Sequence, residues 1–235
     1  MAQEKEIKIQ LRIPLNVFLK RIQTKGFKLL NTIKQTDIYF DTRDWHLYEN
    51  LAALRLRQIK GKDYSFSFKK LFFIPKEKNN YYIEEIEVNF PLKDIPKLKE
   101  IFERLEISFN RNVITDGKGI TYYLSKNGYY DEQKMQKTRR VYLNGDDEIT
   151  IDDVDKVGII VELECLKNNP LDVVTTLLAD NEWTRDVEGT SYIWLKNVKG
   201  LTSHLSNLDK FKTKPDWNVW ENERDMYSKI IDGQL

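Results

Sequence analysis

Glu4, Glu6 and Lys8 alternate in the segment EKEIKIQL, and Ile7, Ile9 and Leu11 fill the intervening phase. As a β-strand this segment points three charged side chains one way and its apolar ones the other. Crowded carboxylates need neutralising, and a divalent cation does that most directly. The same phase recurs down the chain. Arg55 and Arg57 oppose Leu54 and Leu56; Ser65, Ser67 and Lys69 oppose Tyr64, Phe66 and Phe68; Glu85 and Glu87 oppose Ile86 and Val88. Lys137 and Arg139 share a phase, Asp152 is in phase with Thr150, and Glu162 and Glu164 oppose Val161, Leu163 and Cys165.

Any one of these strands reads as an ordinary half-solvated antiparallel strand. Together they do not, because solvated faces mix signs so that opposite charges meet across strands, whereas here strands carry same-sign pairs: acids on the first, fifth and eighth, bases on the third and sixth. If the sheet closes on itself, the apolar faces can lie outward under helices while the charged faces line a tunnel. Opposed acidic and basic walls suit a polyphosphate with a divalent metal. Carboxylates bind Mg²⁺ or Mn²⁺, and Arg forks and Lys point charges hold phosphoryl oxygens.

The elements that must position these residues are legible in part. Strand-like alternation covers residues 4 to 12, 36 to 41, 52 to 59, 63 to 71, 81 to 89, 135 to 143, 147 to 153 and 158 to 166. In PLNVFLKRIQTKGF, Pro14 suits a first helical turn, Leu15, Phe18, Leu19 and Ile22 have helical spacing, and Gly26 can end the helix. PLKDIPKLKEIFERL and NPLDVVTTLLADNEW repeat that pattern, and SYIWLKNV also reads as helical. Residues 108 to 134 are ambiguous, since ITYYL fits either a strand or a helix. Residues 1–198 are expected to form one tunnel domain, and 199–235 a linker and an amphipathic helical extension carrying Trp217, Trp220, Met226 and Tyr227.

Lysine and arginine (38) nearly cancel aspartate and glutamate (37) among 235 residues, so bulk charge draws the chain to neither nucleic acid nor membrane. The single cysteine, Cys165, excludes an internal disulfide and sits in an apolar phase as a buried thiol. MAQEKEIK has no apolar signal region and no stretch approaches a membrane span, so a soluble cytoplasmic protein is the expectation. His46 and His204 lack metal-spaced partners and read as surface residues.

The set EKEIK at 4 to 8, DIYFDT at 37 to 42, ALRLR at 53 to 57, Lys69, IEEIEV, KTRR at 137 to 140, IDDV at 151 to 154 and Gly158 followed by VELE resembles the CYTH superfamily. These triphosphate tunnel metalloenzymes include class IV adenylate cyclases, thiamine triphosphatases and inorganic tripolyphosphatases. The resemblance spans about residues 3 to 195 and implies an α+β fold, an eight-stranded antiparallel β-barrel forming a charged tunnel, with peripheral helices. By position it implies Glu4, Glu6, Asp152, Glu162 and Glu164 as ligands of Mg²⁺ or Mn²⁺. Glu4, Glu6, Glu85, Glu162 and Glu164 are then the catalytic acids, and Lys8, Arg55, Arg57, Lys69, Lys137 and Arg139 the triphosphate-binding residues. Asp37 and Asp41 read as a packed strand with turn acids. Many family members carry a basic residue just before the Ser-Tyr pair, where this chain has Gly189-Thr190; Arg185 and Arg140 are the candidates to replace it.

The expected activity is metal-dependent hydrolysis of a triphosphate, whether inorganic tripolyphosphate, thiamine triphosphate or a nucleoside triphosphate, releasing phosphate. The alternatives are a cyclase making cyclic AMP and pyrophosphate from ATP, and a non-catalytic module that binds triphosphate or polyphosphate. The expected partner is a small-molecule triphosphate, with nucleic acid restricted to an RNA 5′-triphosphate end, no membrane, and a homodimer left open.

Overall fold

Alternating residues build nine strands: β1 (Lys5–Leu11), β2 (Lys28–Asp41), β3 (Ala52–Ile59), β4 (Tyr64–Phe73), β5 (Tyr81–Asn89), β6 (Tyr130–Asn144), β7 (Asp147–Val154), β8 (Gly158–Cys165) and β9 (Trp183–Arg185). The computed structural model describes residues 5–60, 64–73, 81–112, 114–165, 167–185 and 190–200, with the backbone alone at residues 5, 6, 71–73, 81–83, 185 and 192. All nine strands join one sheet in the order β5-β4-β3-β2-β6-β7-β8-β1-β9, each pair antiparallel.

Two features depart from the expected eight-stranded barrel. β2 starts at Lys28, well before the alternation at 36 to 41, because its first residues pair with β6 alone while β3 joins only from Gln35. Those first residues are exposed, so no apolar phase marks them. The second departure is β9, three residues at the end of a segment read as helical, whose pairing with Ile9–Leu11 occupies the outer edge of β1. Among the described residues the sheet therefore runs from β5 to β9 without closing.

The helices form where apolar spacing and caps coincide. α1 (Leu15–Thr24) buries Phe18 and Ile22 and gives way at Gly26, whose φ of 91° favours glycine. α2 (His46–Glu49) is a single turn with His46 exposed, α3 (Ile95–Arg104) is capped by Asp94, and α5 (Pro170–Leu177) is capped by Asn169. The ambiguous 108 to 134 segment supplies α4 (Gly117–Lys126), where the Asp116 carboxylate accepts from Gly119 N and Ile120 and Leu124 are buried. α6 (Thr190–Lys199) follows β9. α5 stops earlier than its apolar run suggests, because Leu178 turns extended and Glu182 is held by Arg21 through a fork of two hydrogen bonds.

The helices cover the apolar face of the sheet in two places. α3 and α4 pack with Leu54, Leu56, Phe66, Phe68, Ile86 and Val88, while α1 and α5 pack with Ile7, Ile9, Ile149, Ile151, Val161 and Leu163. This is the inverted arrangement that the alternation predicts, with the charged phase on the other face. α6 instead joins that other face, where Trp194 and Leu195 pack with Met135, Val154, Ile160 and Tyr48. No helix among the described residues is long and apolar enough to cross a membrane. The extension predicted over 199–235 lies almost wholly outside the described residues.

Candidate active site

Antiparallel register sets the polar face residue by residue, because directly opposed side chains share a face. Lys8 stands opposite Glu162, Arg139 opposite Asp152, Arg57 opposite Asp37, and Lys69 opposite Glu85. Glu164 stands opposite both Glu6 and Glu148. The sheet thus brings Lys8, Arg55, Arg57, Lys69, Glu85, Lys137, Arg139, Asp152, Glu162 and Glu164 onto one face across seven strands. Glu6 shares that register by its backbone, and Glu4 lies outside the described residues.

The charges form a relay of contacts. Glu162 accepts from Arg139 Nη2 at 2.7 Å and lies 2.6 Å from Lys8 Nζ, with the Thr150 hydroxyl at 3.3 Å. Arg139 also donates to Asp152 through Nε and Nη2 at 2.7 and 2.8 Å, and Lys137 Nζ donates to the same carboxylate at 2.9 Å. Lys137 lies 3.7 Å from Asp37, which accepts from Arg57 Nε and Nη2 at 2.7 and 2.9 Å. On the other side of β2, Arg55 Nη2 reaches Glu87 at 3.2 Å and Glu85 at 3.4 Å, and Lys69 Nζ lies 2.8 Å from Glu85.

Burial makes these pairs consequential. It would raise the Asp37 carboxyl, but the hydrogen bonds and charge of Arg57, with Lys137 and Arg55, hold it down at about 2. Burial pulls Lys137 down to about 8 against the opposing pull of Asp152 and Asp37. Asp152 stays below the usual carboxylate range despite burial, through Arg139 and Lys137. Burial and the Asp37 charge raise the Tyr39 hydroxyl, with Arg55 and Arg57 opposing. Away from this face, burial and Asp147 push the Cys165 thiol up to about 12, which keeps it inert.

The sequence pattern groups two residues that the structure separates. Asp41 is the turn acid, accepting from the backbone N–H of Thr42, Leu47 and Tyr48 at 2.7, 2.8 and 2.9 Å. Asp37, read alongside it, is fully buried on the polar face and anchors Arg57. The signal was present: Asp37 and Tyr39 alternate with Ile38 and Phe40 in the charged phase. Of the two candidates for the missing basic residue, Arg140 does not share the polar face, since it is in register with Ile151 on the apolar side, and Arg185 is described by its backbone alone, in register with Ile9.

The donor set suits a hard divalent cation, because β1, β7 and β8 present carboxylates in register on one face: Glu162, Glu164 and Glu148, with Glu6 by backbone position. Among the described residues no group of three or more His, Cys, Asp or Glu gathers closely enough to hold a metal ion.

The fold is an antiparallel sheet with helices on its apolar face and interleaved acids and bases on the other. Residues 2–182 match the CYTH domain, and the chain belongs to that family. CYTH proteins are enzymes acting on triphosphates, as cyclases or as triphosphatases. The chain is 29% identical over 161 residues to the "Putative adenylate cyclase" of Methanocaldococcus jannaschii, covering 68% of this chain and 75% of that one. Two solved structures share the fold. A "putative adenylate cyclase" from Vibrio parahaemolyticus superposes with a TM-score of 0.54 at 17% identity, covering 82% of this chain and 98% of that one. A "putative adenylyl cyclase" from Hippeastrum, described as having a dominant triphosphatase activity, gives 0.51 at 19% identity, covering 82% and 95%.

Proposed function

We propose that this chain is a metal-dependent triphosphatase that hydrolyses a terminal phosphoryl group and releases phosphate. The observation that supports it most is the polar face itself, where Lys8, Arg55, Arg57, Lys69, Lys137 and Arg139 converge, each already paired with a carboxylate. A triphosphate offers the same kind of anionic oxygen as those carboxylates and can take the place of the more exposed ones, Glu85 and Glu87.

The chain's own residues do the positioning. Asp37 holds Arg57 by its Nε and Nη2 edge, which fixes the plane of the guanidinium, and Asp152 holds Arg139 in the same way. Fixed forks hold phosphoryl oxygens without reorganising, which is where phosphoryl transfer gains most because its loose transition state needs placement and charge neutralisation. Water supplies the oxygen that bonds to the terminal phosphorus, the bond to the bridging oxygen breaks, and the proton of the water passes to solvent. Bound Mg²⁺ or Mn²⁺, held by Glu162 and Glu164 with Glu4 and Glu6, would neutralise phosphoryl oxygens further. No histidine or cysteine nucleophile is needed.

The described activity of the Hippeastrum protein supports hydrolysis on this fold, while the name of the Methanocaldococcus relative favours a cyclase as the second reading. Incubation with ATP or tripolyphosphate and Mg²⁺ or Mn²⁺, with phosphate, pyrophosphate and cyclic AMP quantified, separates them. Phosphate release is the expected result. Cyclic AMP as the major product would establish the cyclase, and tight binding without turnover under either cation would establish a binding module.

A further inference from the structure

Ser67 is 1% exposed, yet its hydroxyl finds no hydrogen-bond partner among the described residues. It stands opposite Arg55 across β3 and β4, and opposite Glu87 across β4 and β5. The Nε of Arg55 is also buried without a partner, while its Nη2 edge is drawn outward to Glu85 and Glu87. A buried donor left without a hydrogen bond is costly, so two of them on directly opposed residues require a reason. Both groups can donate, and the nearest acids are committed elsewhere: Glu87 to Arg55, and Glu85 to Arg55 and Lys69. What such a pair lacks is an anionic oxygen placed between them.

We infer that Ser67 Oγ and Arg55 Nε form a donor pair for one phosphoryl oxygen of the substrate, and that Glu85 and Glu87 hold Arg55 in readiness for it. The assignment rests on the triphosphate reading and adds Ser67 to the residues that bind. Its position explains why β4 carries a small hydroxyl in a charged phase: a longer side chain opposite Arg55 would fill the space that the oxygen takes, and an apolar one would supply no donor.

The test combines tripolyphosphate affinity, measured by titration calorimetry in chelator, with thermal unfolding of the ligand-free protein, for the full chain and Ser67→Ala. The substitution should leave the unfolding temperature unchanged or higher, because it removes an unpartnered hydroxyl. It should also weaken tripolyphosphate binding roughly tenfold, the worth of one hydrogen bond to a charged group. Unchanged affinity would overturn the assignment, and a lowered unfolding temperature with unchanged affinity would make Ser67 a purely structural residue. A wild-type chain that neither binds tripolyphosphate nor hydrolyses it with Mg²⁺ would overturn the triphosphate reading itself, an outcome distinct from a Ser67 variant that behaves like wild type.

Discussion

The polar face has two walls built from the same residue types and held differently. On β2, β6 and β7, the side chains of Asp37, Lys137 and Asp152 are 0%, 5% and 6% exposed, and their hydrogen-bonded contacts with Arg57 and Arg139 lie between 2.7 and 2.9 Å. On β4 and β5, Lys69, Glu85 and Glu87 are 40%, 34% and 38% exposed, and Arg55, itself 11% exposed, reaches its acids at 3.2 and 3.4 Å. Removing one partner from a buried pair strands a charge, whereas exposed pairs contribute little and exchange readily. The inner wall is thus a fixed scaffold of oriented guanidinium groups. The outer wall is the side on which carboxylates can yield to phosphoryl oxygens.

The largest expected effect falls on the inner wall. Asp37→Ala should destabilise the fold by about 3–5 kcal/mol in urea denaturation, because Arg57 and Lys137 lose a buried counter-charge. A loss below about 1 kcal/mol, the range of an exposed pair, would erase the difference between the walls.

Next in size is catalysis. Glu162→Gln should lower turnover of tripolyphosphate on the order of a hundredfold, the scale of removing one electrostatic contact at a reacting centre. An unchanged rate at saturating Mg²⁺ would take Glu162 out of the chemistry and leave it a partner of Lys8 and Arg139.

Acid stability sharpens the contrast further. The Asp37 carboxyl sits at about 2 in the folded protein, below its ordinary value. Stability from this group is therefore fully present above about pH 4 and is lost as pH falls toward 2, amounting to about 2 kcal/mol. Asp37→Asn should flatten that part of the acid limb. An identical limb in the variant would mean that other carboxylates set it.

The smallest expected effect is on the outer wall, where Arg55→Ala should raise KM for tripolyphosphate about tenfold, the scale of one charge-assisted hydrogen bond. Because the acids it leaves behind are about a third exposed, the loss of stability should be smaller than for Asp37→Ala. A variant that loses stability and keeps its KM would make Arg55 a structural residue.

Much of this arrangement is written in the residue alternation. Lys8, Arg55, Lys69, Arg139 and Glu162 could be assigned to one face because a two-residue period fixes side-chain direction wherever the opposite phase is apolar. That logic fails where the period is silent or overruled. The first residues of β2 are exposed, with no apolar phase to mark them, and β9 is too short to show a period. Asp37 was hidden by neighbours that resemble a turn, although Asp41 alone serves the turn. Met135, Val154 and Ile160 interrupt the charged phase because α6 seals them with Trp194 and Leu195, a contact between segments distant in sequence that no local pattern encodes.

The central claim is that the outer wall opens to a triphosphate while the inner wall stays fixed. Arginine Nε–H resonances report it most directly, followed in a nitrogen-edited spectrum as tripolyphosphate is titrated into the full chain. Arg55 Nε, which has no partner among the described residues, should shift strongly, and Arg57 Nε, held by Asp37, should move little. If Arg57 shifts while Arg55 stays still, or if neither responds to a ligand shown to bind, the account of the two walls is contradicted.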